Sequence, residues 1–228
     1  MPEQRAIIFD ASTLISLSMA GLFDQIRDLK SSFKGHFLIT KDVKKEIIDK
    51  PITIKKFELE AMRLKDMLEK RVLEEPAIFG INEEELNKLT YNYTETANST
   101  FFNSKRDIFL IDAGEASCLA LSKLLTQKGV KNVLAIDERT IRMICEKPDN
   151  LRKLLIKKLH TEIKPRKEKY KLFEGFKFIR SSELVYVAYK KGLIKLKYPN
   201  LLDALLYAVK FKGCAISGTE IEEIKNLD

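Results

Sequence analysis

A chain of 228 residues with 45% hydrophobic and 32% charged side chains is long enough for one α/β domain with elaborations, and apolar enough to fill its core. No apolar run approaches the roughly 20 residues of a bilayer span. The N-terminus enters Ala6-Ile-Ile-Phe9 without a leader pattern, so a membrane partner is not expected and the cytoplasm is. Of the net charge of +8, residues 147–180 alone supply the whole surplus, 12 Lys/Arg against 4 Asp/Glu, and the rest of the chain balances at 29 against 29. Such a basic segment suits a polyanion, phosphate above all, although a solvated lysine-rich helix accounts for the same charge without any partner. Cys118, Cys145 and Cys214 form no CxxC pair, and their number is odd. Buried thiols in a reducing compartment are the expectation.

Arg5-Ala-Ile-Ile-Phe9 reads as a buried strand running into Asp10, and Ser12 or Thr13 is placed to cap a helix over Leu14 to Ala20. Leu22 to Leu29 is a second amphipathic helix and His36 to Thr40 a second strand. Asp42 caps or enters a helix at Val43 to Ile48, which sets Glu46 one turn in. Ile54 to Leu73 reads as a long helix with Phe57, Ala61, Leu64 and Leu68 on one face. Residues 74–110 are acidic and then polar, and short helices with a mobile loop are expected there.

A helix follows from Gly114 to Lys128, then a strand over Asn132 to Ile136 ending on Asp137, and a helix from Glu138 to Glu146. Leu151 to His160 is a basic amphipathic helix, and Lys164 to Lys171 a charged connector. Phe176 to Ile179 makes a fourth strand, Ser181 or Ser182 caps a helix ending at Gly192, and a last helix covers Leu201 to Lys212. Strands alternating with helices predict a three-layer α/β/α sandwich around a central, mostly parallel sheet, with helical insertions.

Four acids fall at matching places in this pattern. Asp10 and Asp137 end strands, Glu46 sits in the helix after the second strand, and Glu115 opens the helix before the strand that Asp137 ends. If the crossovers are right-handed, all four lie at one edge of the sheet, where open α/β sheets place their sites. Each acid alone is adequately explained by capping and the helix dipole. Four together need a counter-charge, and Mg²⁺ or Mn²⁺, hard cations that favour carboxylate oxygen, would supply it. Asp112 and Glu138 are the neighbouring second-sphere or substitute ligands.

Ile7-Ile-Phe-Asp10-Ala-Ser-Thr13, Glu46 in its post-strand helix, Gly114-Glu115-Ala-Ser-Cys-Leu-Ala-Leu121 and Val133-Leu-Ala-Ile-Asp137-Glu-Arg-Thr-Ile-Arg142 resemble, in order, the four motifs of PIN-domain proteins. This is a Mg²⁺/Mn²⁺-dependent ribonuclease family that includes the toxins of VapBC toxin–antitoxin systems. The Gly-Glu-Ala form looks like an archaeal and bacterial branch distinct from the typical toxins. The toxins are shorter, so within one PIN-like domain over 1–228 the segments 74–110 (acidic and polar) and 148–175 (basic) look like insertions.

The resemblance implies hydrolysis of RNA phosphodiesters by metal-activated water. Asp10, Glu46, Glu115 and Asp137 would hold the metal; Asp112 is the alternative third acid to Glu115. Ser12 or Thr13 would contact the metal, its water or a phosphate, with Glu138 as a supporting or substitute acid, and Arg139 and Arg142 would either touch the substrate or pair with nearby acids. Lys153, Lys157, Lys158, Arg166, Lys167 and Lys169 would track the RNA backbone. An antitoxin-like protein, an RNA-processing complex and a second copy of the chain are the implied partners. The rival is a PIN-like RNA-binding or scaffold module with little turnover. A strand-acid phosphotransferase is argued against by Ser12, where a second Asp would stand, and a dinucleotide fold by the absence of GxGxxG after the first strand.

Overall fold

The computed structural model describes residues 4–227. Its strands are β1 (Arg5–Phe9), β2 (His36–Leu38), β3 (Phe101–Phe102), β4 (Lys131–Ala135), β5 (Lys164–Pro165) and β6 (Phe178–Ile179). Four of them make a parallel central sheet in the order β2-β1-β4-β6, as the alternation of strands and helices predicts. Register runs Ala6↔His36 to Ile8↔Leu38 on one side of β1, Arg5↔Lys131 to Phe9↔Ala135 on the other, and Leu134↔Phe178 at the far edge. Ile8, Phe9, Phe37, Leu38, Leu134 and Ala135 are buried at its centre, the near-continuous apolar reading expected of a parallel sheet covered on both faces. The architecture is α/β and compatible with a three-layer sandwich. The carboxyl ends of β1, β2, β4 and β6 lie at one edge, and Asp10, Thr40, Asp137 and Ser181 follow them.

The helices follow in chain order. α1 (Ala11–Met19) starts at once after β1, so its N-cap is Asp10, extended at φ −82° and ψ 159°, and not Ser12 or Thr13. After α2 (Phe23–Phe33) and β2, Thr40 accepts the Val43 N–H and so caps α3 (Lys41–Lys44) in place of Asp42. α3 runs directly into a π-helical turn, Lys45–Asp49, that carries Glu46; such turns cluster at functional sites because they re-aim side chains. The long helix expected over 54–73 is shorter, α4 (Glu58–Glu69). Ile54 is extended after the 3₁₀ turn Pro51–Thr53, and Arg71 at φ +57° reverses the chain so that the Val72 N–H closes on the Met67 carbonyl.

Residues 74–110 hold one long helix where short ones were expected. They carry α5 (Glu83–Asn98), a 16-residue helix capped by the Asn82 side chain, with Glu83, Glu84 and Glu85 in the first turn, where the dipole favours acids. Leu86, Thr90, Tyr93 and Ala97 form its buried stripe, packed against α6 (Ala113–Gln127). That stripe is thin and part polar, which hid it from hydrophobic periodicity.

Between β4 and β6 come α7 (Arg139–Glu146), α8 (Pro148–Leu159) and a 3₁₀ stretch, Lys167–Phe173. The segments 74–110 and 148–175 meet one another. β3 and β5 pair antiparallel, Phe101 lies against Tyr170, and Tyr93 packs on Phe173 and Phe176 with ring centroids about 6 Å apart. The chain closes with α9 (Ser181–Lys190), α10 (Leu201–Phe211) and α11 (Gly218–Lys225). Among the described residues no helix is long and apolar enough to cross a membrane.

Candidate functional site

A cleft of about 400 Å³ opens at the carboxyl edge of the sheet, and Asp10, Ser12, Glu46, Asp112, Glu115 and Glu138 line it. Each acid is delivered by a different local device. Asp10 continues β1, its N–H bonded to the Ala135 carbonyl at 3.0 Å. Ser12 holds Asp10 Oδ2 through its N–H at 3.0 Å and its hydroxyl at 2.5 Å, and the same Oγ accepts the Asp137 N–H at 3.1 Å. The side chain of Ser12 thus ties β1 to β4 while aiming the Asp10 carboxylate.

Asp112 and Glu115 form a reciprocal capping box on α6. The Glu115 N–H donates to Asp112 Oδ1 at 3.0 Å, and the Asp112 N–H to Glu115 Oε2 at 3.2 Å. Glu46 arrives from the π-helical turn, and its carboxylate lies against Gly114. A Cβ at position 114 would stand 3.0 Å from Glu46 Oε2 and 3.3 Å from Asp112 Oδ1. Gly114 therefore serves close approach between side chains, not an unusual backbone angle. Glu138 borders the cleft while its Oε1 accepts the Thr140 N–H at 3.0 Å.

Lys50 acts on Glu46 at a distance, but the carboxylates have no closer basic partner among the described residues. Among the described residues no Lys, Arg or His forms an ion pair with any of the five acids. Burial, with Asp10 and Asp112 adding repulsion, pushes Glu115 up to about 9. Glu46 is exposed as a residue, yet desolvation first, then Asp112 and Asp10, pushes it up to about 7, with Lys50 opposing. Asp10 is raised as well, by burial first, with the Ser12 bonds opposing. In all three the largest cause is burial, and the neighbouring acids add to it, while Lys50 opposes the shift of Glu46.

The donor set therefore fits a hard divalent cation by its chemistry: oxygen donors only, uncompensated charge, and a glycine that leaves the carboxylates room. As the side chains stand, no group of three or more His, Cys, Asp or Glu among the described residues is arranged to hold a metal ion. Asp10, Glu46, Asp112 and Glu115 would have to draw in around one.

Asp137 is placed otherwise than as a metal ligand. It is fully buried and does not line the cleft. Its Oδ1 accepts the Ser181 N–H and its Oδ2 the Ser181 hydroxyl, both at 2.7 Å, and so it anchors the start of α9 to the end of β4. Ser181, expected as a helix cap, is thereby occupied, and Arg180 takes the cap position. Thr13 is fully buried and does not line the cleft either; its Oγ1 is the one buried side-chain N or O without a hydrogen-bond partner among the described residues.

Arg139 and Arg142 face a second, larger cleft of about 770 Å³ together with Lys147 and Lys153. Arg139 of this cleft directly follows, in sequence, Glu138 of the first. Arg142 is half-buried and bonds the carbonyls of Glu138 and Ala215 at 3.3 and 3.1 Å; burial and the neighbouring Arg180 lower its pKa. Of the other basic residues, Arg166 is spent on the Ser99 carbonyl, Asp107 and the Phe102 ring, and Lys169 on Ser99. Those two brace the meeting of segments 74–110 and 148–175, whereas Lys157, Lys158 and Lys167 are exposed and line neither cleft.

Sequence reasoning passed over Gly114 as a spacer, Ser181 as the partner of Asp137, and Ile15, Phe109 and Leu110 as the apolar rim of the acidic cleft. The Gly-Glu pair at the helix start was the one available signal for the first. Nothing in the local sequence marks the others. No protein-family model, curated protein or solved structure significantly matches the chain.

Proposed function

We propose that the chain is a divalent-metal-dependent hydrolase of RNA phosphodiesters, a PIN-like ribonuclease. The observation that carries this reading is the set of five carboxylates around one cleft at the carboxyl edge of a parallel sheet, none of them in an ion pair among the described residues. Asp10, Glu46 and Glu115 would hold the metal, with Asp112 as a further or alternative ligand. When bound, Mg²⁺ or Mn²⁺ supplies the charge that offsets the carboxylates and the developing charge on phosphate, and acidifies water.

The chain's own residues prepare that chemistry. Ser12 fixes the Asp10 carboxylate, the capping box fixes Asp112 against Glu115, and Glu138 lines the same cleft. The basic cleft, with Arg139, Arg142, Lys147 and Lys153, offers donors to the phosphates that flank the bond to be cut. A second reading, an RNA-binding module with little turnover, is favoured by the acids not being gathered as a metal cage.

Cleavage of labelled single-stranded and structured RNAs with Mg²⁺, Mn²⁺ or EDTA, beside Asp10→Asn, decides between them. Metal-dependent cutting that Asp10→Asn lowers by at least about 100-fold is the expected result, the size of removing one transition-state charge stabiliser. RNA bound but left intact by both proteins would establish the binding module. Cutting in EDTA at the full rate would end the metal reading.

A further inference from the structure

Phe109 is the feature of the cleft that neither packing nor metal chemistry explains. It lines the acidic cleft, yet it is 73% exposed and takes no part in the hydrophobic core. Its neighbours behave oppositely, since Ile108, Leu110 and Ile111 are all buried. The backbone around it is held as well. The Ile108 N–H bonds the Phe101 carbonyl at 2.8 Å. The Leu110 and Ile111 N–H groups both donate to Asn98 Oδ1, at 2.6 and 3.0 Å, while Asn98 Nδ2 donates to the Ile111 carbonyl at 2.9 Å. The ring is therefore presented to solvent from a clamped segment, on the path from β3 to α6.

We propose that Phe109 is a positioning residue that stacks on a nucleobase next to the phosphate lodged among the carboxylates. This rests on the phosphodiesterase reading above. The occupant follows from size and surroundings. A protein partner needs a contiguous contact of about 1,000 Å² or more, whereas a single ring standing beside charged groups matches one planar base whose sugar-phosphate continues into the polar cleft. Ile15 and Leu110 complete an apolar rim against which the edge of the base can lie. A base offers its face only where it is unpaired and splayed from its neighbours, so the platform selects unpaired positions of the strand.

The test compares wild type, Phe109→Ala and Phe109→Trp on a single-stranded oligoribonucleotide carrying 2-aminopurine, with Mn²⁺. The exposed ring is not part of the core, so all three proteins fold. Expected is rapid 2-aminopurine quenching by wild type and Phe109→Trp, its loss in Phe109→Ala, and a KM roughly 5- to 150-fold higher in the alanine variant. A structural role would not be rescued by tryptophan. If wild type cuts the strand and Phe109→Ala cuts and quenches equally well, the platform is refuted and the nuclease reading stands. If wild type neither binds nor cuts any strand, both fall. Wild-type cutting with Phe109→Trp as impaired as Phe109→Ala would likewise overturn stacking.

Discussion

Replacing Asp137 by alanine separates a structural acid from a catalytic one. The carboxylate is fully buried and accepts two hydrogen bonds from Ser181, both 2.7 Å long, and Ser181 is itself fully buried. Hydrogen bonds to an ionised group contribute about 1.5–3 kcal/mol each, and the truncation leaves an N–H and a hydroxyl without a partner, so the expected loss is about 3–5 kcal/mol. For a chain of 150–250 residues that is a fall in melting temperature of roughly 6–20 °C. Asp137→Asn is milder, because its carbonyl still accepts the Ser181 N–H and its amide can donate to the hydroxyl. The assay is thermal unfolding of wild type, Asp137→Asn and Asp137→Ala, with Mn²⁺ affinity measured by calorimetry below the transitions. Asp137→Ala that melts like wild type and has lost Mn²⁺ binding would refute the argument and return Asp137 to the metal site.

Gly114→Ala gains about 1 kcal/mol of helix propensity, but its Cβ would meet Glu46 Oε2 at 3.0 Å. It is expected to fold normally and bind Mn²⁺ more weakly, and unchanged affinity would remove Gly114 from the site. Burial works against the charge of Glu220, yet the Ser217 N–H and hydroxyl and the Arg180 guanidinium outweigh it and hold the group at about 2. Its folded pKa is depressed, so its stabilising contribution is present above about pH 4.5 and lost as pH falls toward 2; Arg180→Ala should therefore narrow that loss and destabilise the chain at neutral pH, which melts at pH 3 and pH 7 would show. Arg139→Glu and Lys153→Glu should each flatten the salt dependence of RNA binding by about one unit of slope, while Arg166→Glu should chiefly destabilise; equal slopes in all three would leave the basic cleft without a nucleic-acid role.

The sheet was legible because its signal is local. Ala6-Ile-Ile-Phe9 and Val133-Leu-Ala-Ile136 are apolar runs closed by acids, and a buried parallel strand needs nothing more to be recognised. The helix α6 was legible for the same reason, since Gly114 onward is small and apolar with few interruptions. The gathering of Asp10, Glu46 and Glu115 at one cleft followed from topology, because acids at strand ends and helix starts share the carboxyl edge of a parallel sheet. α5 escaped because tertiary packing on α6, not periodicity, stabilises its sparse stripe of Leu86, Thr90, Tyr93 and Ala97.

Side-chain direction is where sequence reasoning ended. Asp10 and Asp137 hold equivalent places, each just past the end of a central strand, yet one faces a cleft and the other is sealed under Ser181, 44 residues further on. The distinction depends on which helix arrives above each strand and which donors it brings, a non-local fact. The same holds for Arg166 and Lys169, whose charge suggests a polyanion but whose bonds to Ser99, across 67 and 70 residues, are made only when segments 74–110 and 148–175 meet. Residue type and spacing by themselves determined the parallel sheet and the edge at which the acids collect. Only the tertiary structure decided which charges remain open to a ligand, because hydrogen-bond partners distant in sequence compete for the same side chains.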